Sequence, residues 1–195
     1  MKAFFREIVI TIILAVVVFF LIQATVGSFI VIGISMEPSF HSGQRLLVSK
    51  VTYRLHEPER GDAIVFQPAD SQQGDYIKRI IALPGDTVEI KKGAVYVNST
   101  KLDEPYIKSS PRYTTEQKII PANNYFVLGD NRNNSNDSHN GWVVPRQKIV
   151  GKVWLSIWPP TEWEVVPDYS LTEQLASSIS NRLAGAPILH IIYNR

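Results

Sequence analysis

Asp75–Val97, DYIKRIIALPGDTVEIKKGAVYV, is the stretch on which the fold is read. Branched and apolar residues crowd Tyr76–Leu83, Pro84-Gly85-Asp86 breaks the run, and Thr87–Ile90 and Ala94–Val97 follow as two further short runs. None of them sustains a helical period. Short branched runs between Pro, Gly and Asp breaks mark strands. Lys92-Gly93 separates the last two runs and predicts a tight hairpin, because glycine takes a positive φ without the clash that a Cβ brings.

The same texture extends in both directions through Arg45–Val51, Asp62–Phe66, Tyr125–Leu128 and Ile149–Ile157. The expected fold class is therefore mainly β, with packed antiparallel sheets or a partly closed barrel over residues 35–167. Asp103–Pro121, with Pro105 and Pro111 among polar residues, is expected as a surface excursion. In the tail, residues 168–195, Leu171, Leu175, Ile179 and Leu183 recur every four residues and predict a short amphipathic helix. Ala184-Gly185-Ala186-Pro187 would end it, Ile188–Tyr193 is a short apolar finish, and the sequence assigns this tail no role.

Ahead of the β-rich region lie a short segment, residues 1–7, and a segment read as a transmembrane anchor, residues 8–34. From Ile8 to Met36 no side chain is charged, and Ile8–Ile22 is apolar except for Thr11. A helix of about 20 residues crosses the ~30 Å hydrocarbon core, and its backbone groups are satisfied within the segment. A cleavable secretory signal would also place Lys2 and Arg6 before an apolar core, but such cores run about 7–15 residues. This one resumes as Val26–Ile34 after Gln23–Thr25. Lys2 and Arg6 favour an inside amino terminus and send the rest of a single-pass chain to the extracytoplasmic side, although His41, Arg45 and Lys50 beyond the span pull weakly the other way.

Composition removes several classes of function. The formal charge is only +2 and its basic residues are scattered, so nothing marks a nucleic-acid partner. There is no cysteine, which excludes thiol catalysis, disulfides and Cys-ligated zinc.

Three segments carry candidate chemistry. Gly33-Ile34-Ser35-Met36-Glu37-Pro38 places a serine where the apolar run ends. The common hydrolase signatures fail there: Gly-x-Ser-x-Gly would need glycine at Glu37, and no Ser-x-x-Lys occurs in the chain. In Tyr76–Leu83, strand alternation sets Lys78 with Tyr76, Ile80 and Ala82, an apolar neighbourhood that lowers a lysine pKa toward that of a useful base. Arg79 alternates with Ile77 and Ile81, and parity alone does not choose between the two cations.

The third segment is the polar run Gly129–His139, expected as a turn-rich loop. A calcium loop fails there, because Arg132 would occupy a ligand position and the twelfth residue is Gly141 rather than glutamate. Asp137 with His139 suggests a Ser-His-Asp arrangement, and His41 and His56 keep that alternative open.

Together, Ser35–Ser39, Arg60–Phe66, Lys78–Asp86 and Gly129–Ser138 resemble, in order, the boxes of bacterial type I signal peptidases (leader peptidases). The resemblance covers about residues 8–160. It implies a Ser-Lys dyad serine endopeptidase with Ser35 as nucleophile and neutral Lys78 as general base. Ser135 matches the family serine that bonds and orients the lysine. Asp137 matches the aspartate that braces the site, and Asp130 and Arg132 match structural members of the same loop. Gly33 stands where some members carry a serine that helps to bind the oxyanion, which leaves the Ser35 backbone N–H as the donor. His139 stands where many members carry an arginine paired to the loop aspartate.

The resemblance implies no metal or organic cofactor. It implies signal peptides of exported preproteins as partners, the lipid bilayer as surroundings, and a cell membrane or other internal bacterial-type membrane as location. The sequence does not set the oligomeric state. Two other readings share the same residues. A self-cleaving Ser-Lys protease of the same fold is disfavoured by the amino-terminal span and by the lack of a DNA-binding segment. A catalytically silent, membrane-anchored β-rich interaction module is disfavoured by the presence of both Ser35 and Lys78.

Overall fold

The computed structural model describes residues 2–68, 74–169 and 171–184. Helix α1, Lys2–Thr25, leads directly into strand β1, Val26–Ile30. Then follow β2 (Arg45–Ser49), the short helix α2 (Thr52–Leu55), β3 (Ala63–Phe66), β4 (Tyr76–Ala82), β5 (Thr87–Lys91), β6 (Ala94–Val97) and β7 (Thr100–Lys101). The chain continues with β8 (Thr115–Ile119), β9 (Asn124–Leu128), β10 (Val144–Pro145), β11 (Ile149–Trp158), β12 (Glu164–Val165) and helix α3 (Leu171–Ala184). All strand pairings are antiparallel.

The larger sheet runs β1-β2-β11-β3-β4-β9-β10, with β12 added on β11, and curls as a half-barrel. The smaller runs β7-β6-β5-β8. The β5–β6 hairpin turns at Lys92-Gly93, with φ of 50° and 71°, as the sequence predicts. The mainly β class is borne out.

Three apolar clusters hold the sheets. One joins the smaller sheet to the ends of β4 and β9 and includes Ile81, Ile90, Val97, Leu102, Tyr106 and Phe126, completed by Leu171 and Leu175 of α3. The second lies beneath β2 and receives Met36 and Phe40 from the serine turn. The third packs Ile64, Phe66, Ile80 and Tyr125 with Tyr53 and Val144. The expected helical tail is present as α3, docked by its first turns. Residues 185–195, including the expected Gly185–Pro187 stop and the Ile188–Tyr193 finish, lie outside the described residues.

The structure differs from expectation in three places. The uncharged run read as one segment over residues 8–34 is two elements: the apolar helix ends at Thr25, and Val26–Ile30 pairs with β2 from Val26↔Ser49 to Ile30↔Arg45. Absence of charge suits a span and a sheet strand equally, so the boundary was invisible. Among the described residues, Phe4–Thr25, with mean hydropathy 2.8 and its apolar stretch unburied, is the helix long and apolar enough to cross a membrane. Within Asp103–Pro121, Thr115–Ile119 forms the edge strand β8, whose polar, exposed side chains hide it from a hydropathy reading. Finally, a register shift between Ile80 and Ala82 breaks the alternation expected beyond Lys78. Ile81 and Ala82 both enter the first cluster.

Candidate active site

Ser35 sits in the turn between β1 and β2, held from both sides. Met36 is buried in the second cluster. Asn131 clamps the backbone: its N–H donates to Ser35 O at 3.0 Å and its Nδ2 to Ile34 O at 3.1 Å. Ser39 Oγ donates to Asp130 Oδ2 at 2.6 Å, tying the turn to the 129–139 loop a second time. The Ser35 N–H itself donates to no group among the described residues. Gly33 has φ +92°, the left-handed region that glycine tolerates. A Cβ there would meet nothing within 4 Å, so backbone conformation rather than crowding calls for glycine.

β4 presents two adjacent buried cations. Lys78 is 4% exposed, and its Nζ donates to Ser35 Oγ at 2.8 Å and to Ile77 O at 2.9 Å. Its pKa is lowered to about 8 because burial strips water from the ammonium; Asp137 and Asp130 oppose this but do not reverse it. Arg79 is 1% exposed and saturated. Its Nε and NH2 donate to Asp130 at 2.9 and 2.6 Å, and its NH1 donates to Gly61 O at 2.8 Å. Its Cζ lies 4.3 Å from the Tyr106 ring centre and 4.8 Å from that of Tyr169. Burial alone would lower its pKa, but the Asp130 carboxylate outweighs burial, the pKa rises, and Arg79 stays charged.

The 129–139 loop supplies the rest. Arg132 donates to Glu104 through NH1 and NH2 at 2.7 and 2.9 Å, and to Gly129 O at 3.0 Å, an internal strut for the loop. Asp137 is fully buried and accepts from Gly129 N at 2.9 Å and His139 N at 3.2 Å; its Oδ1 pairs with His139 Nδ1 at 2.6 Å. The His139 ring stacks on Tyr113, and no histidine bonds Ser35 Oγ among the described residues. The Ser-His-Asp alternative is therefore not assembled. Ser135 departs from its expected partner: its Oγ is buried and bonds to nothing among the described residues, Lys78 included. It packs against Gly129, where a Cβ would come within 2.3 Å of Ser135 Oγ and 2.5 Å of Ser35 O. Only a glycine at 129 lets the loop approach the serine this closely.

Ser35 and Lys78 open onto a cleft of about 470 Å³, walled on one side by Phe29–Ile34 and on the other by Gly74–Ile77. Its long walls are two chain segments set apart, so it suits an extended peptide better than a compact small molecule.

Signal peptidase, peptidase S26, matches residues 4–158. The chain belongs to this family. It is 47% identical over 130 residues to a Synechocystis sp. protein named "Probable signal peptidase I-2", covering 64% of this chain and 60% of that protein. With the signal peptidase I of Leptolyngbya laminosa it shares 45% identity over 132 residues, 64% of this chain and 65% of the other. The chain thus spans just under two thirds of the length of these two relatives. It covers 91% of signal peptidase IB of Staphylococcus aureus at 36% identity, over 78% of its own length. A crystal structure of a signal peptidase I from Enterococcus faecalis superposes with a TM-score of 0.43 at 33% identity, over 50% of this chain and 97% of the other.

Several residues around Ser35 and Lys78 were not legible beforehand. Asn131 is one asparagine among several in the loop, and nothing local marks it as the clamp on Ser35. Ser39 lies inside a recognised box without a role of its own. Glu104, Tyr106 and Tyr169 lie outside every box, and only the folded chain brings them to Arg79 and Arg132.

Proposed function

We propose that this chain is a membrane-anchored serine endopeptidase that removes signal peptides from exported preproteins, with Ser35 as nucleophile and Lys78 as general base. The observation that carries this reading is the 2.8 Å bond between Lys78 Nζ and Ser35 Oγ at a lysine depressed to about 8 by burial. A neutral Lys78 accepts the Ser35 proton as Oγ attacks the scissile carbonyl. The ammonium so formed protonates the departing amine, leaving an acyl-enzyme on Ser35. Water then attacks that ester, Lys78 takes its proton and passes it to Ser35 Oγ as the acyl–oxygen bond breaks, and the acid product departs.

The Ser35 N–H, unbonded among the described residues, is the donor for the developing oxyanion. Losing one donor of an oxyanion hole can cost about 100–1,000-fold in rate. Asp137 and Ser135 support the site, and Asp130 and Arg132 hold its loop.

α1 is the proposed anchor, with its amino terminus inside, so that β1 and Ser35 follow the span on the extracytoplasmic side. That position matches the depth at which a signal peptide, itself a membrane-spanning helix, ends and exposes its cleavage point. Detergent-solubilised protein is expected to cleave a preprotein after a small-x-small sequence, and Ser35→Ala and Lys78→Ala are each expected to abolish this. Cleavage retained in Lys78→Ala would overturn the dyad.

A further inference from the structure

A second hollow, of about 430 Å³, lies beyond the dyad cleft and shares two walls with it, Tyr76 and Asn136. The Tyr76 ring is the partition. Lys78 Nζ stands 5.6 Å from its centre, and Phe66 packs edge-on to it at 6.0 Å. Phe66 and Val144 are buried, and Trp142, half-buried, closes one side 6.1 Å from Phe66. Gly141, at φ +101°, turns the chain just before that tryptophan. The only cation lining the hollow is Lys148, which makes no ion pair among the described residues.

We propose that this hollow is a subsite for the substrate segment that follows the cut, taking a large apolar or aromatic side chain with an acidic neighbour facing Lys148. The inference rests on the dyad reading above and adds to it a specificity determinant on the other side of the scissile bond. Three observations set the occupant and the direction. First, the hollow adjoins the dyad cleft, the two sharing Tyr76 and Asn136 as walls, so a chain lying past Ser35 meets it next. Second, the cleft wall Phe29–Ile34 continues the strand that leaves α1, so residues before the cut, which come from the membrane, lie along that wall. The hollow is built instead on the end of β3, the start of β4 and the Trp142–Pro145 stretch, with no residue of β1, and therefore faces residues after the cut. Third, its scale fits: Tyr76 is two residues from Lys78 on β4, about 7 Å along an extended strand, so a peptide side chain within roughly four residues of the cut reaches the hollow. The apolar, aromatic walls and the lining cation Lys148 specify the chemistry of that residue and its neighbour.

The test uses full-chain protein in detergent and peptides with a fixed small-x-small site, alanine at the four following positions, and phenylalanine substituted at each in turn. Phenylalanine at one of these positions is expected to raise kcat/KM about tenfold, the scale of one apolar contact in a pocket. Trp142→Ala should abolish that gain while cleaving the all-alanine peptide as the parent does. In Lys148→Glu, the preference for aspartate over lysine at the adjacent position should reverse, an independent readout should Trp142→Ala fold poorly. A flat response at all four positions with normal cleavage of the alanine peptide overturns the subsite and leaves the dyad standing. So does a phenylalanine gain that survives Trp142→Ala. Failure to cleave any of the peptides overturns both readings.

Discussion

Lys78 and Arg79 are neighbours on one strand, both almost wholly buried, and the protein treats them in opposite ways. Arg79 is given a carboxylate, a backbone carbonyl and two tyrosine faces, and stays charged. Lys78 is given a serine hydroxyl and a carbonyl, with its nearest carboxylates acting only at a distance, and its pKa falls to about 8. Burial with a carboxylate in contact makes a strut. Burial without one makes a base. The strut serves the base, because Asp130 grips Arg79 and Ser39 while its neighbour Asn131 holds the Ser35 backbone.

Four experiments probe this contrast, from the largest expected effect downward. Lys78→Ala and Ser35→Ala should each lower kcat/KM on a preprotein by roughly 1,000-fold or more, whereas the folded fraction by circular dichroism stays that of the parent. If either lost folding instead of turnover, the two cations would not differ in kind.

Arg79→Ala leaves Asp130 buried without its partner and should cost about 3–5 kcal/mol in urea unfolding, with loss of activity following loss of structure. A cost below about 1 kcal/mol would mean the strut is idle.

Asp137→Asn removes a charge that raises the Lys78 pKa, so the acid limb of kcat/KM, expected near pH 8 in the parent, should move to lower pH. The sign follows because only neutral Lys78 accepts the serine proton. A shift to higher pH would show that Asp137 acts on the base by some other route.

Tyr169→Ala strips one aromatic face from Arg79 and should lower stability by about 1–2 kcal/mol, read as a fall in Tm, with Tyr169→Phe restoring it. The same change tests what the tail contributes: α3 follows Tyr169, and Leu171 and Leu175 seal the first cluster.

What the sequence revealed divides along physical lines. Strands with branched residues on both faces, such as Tyr76–Ala82, announce themselves, and the Lys92-Gly93 turn is dictated by the φ it needs. β1 did not, because its composition is indistinguishable from the helix before it, and β8 did not, because an exposed edge strand needs no apolar face. Ser35 and Lys78 were named from their boxes. The choice between Lys78 and Arg79 was not available from alternation, because both are buried and the difference lies in partners from Gly61, Asp130 and Tyr169, remote in the chain. The pairing expected between Ser135 and Lys78 failed for a similar reason. Box membership brought Ser135 beside Ser35, but the close approach at Gly129 leaves its hydroxyl against the loop.

The central claim is that Lys78 gives up its proton near pH 8, well below an ordinary lysine, while Arg79 beside it stays charged. Its most direct test is an NMR titration of protein labelled at lysine Nζ, with the Lys78 signal assigned by its loss in Lys78→Arg. The account predicts a Lys78 midpoint near 8. A midpoint at the ordinary lysine value of about 10.4 or above would contradict it.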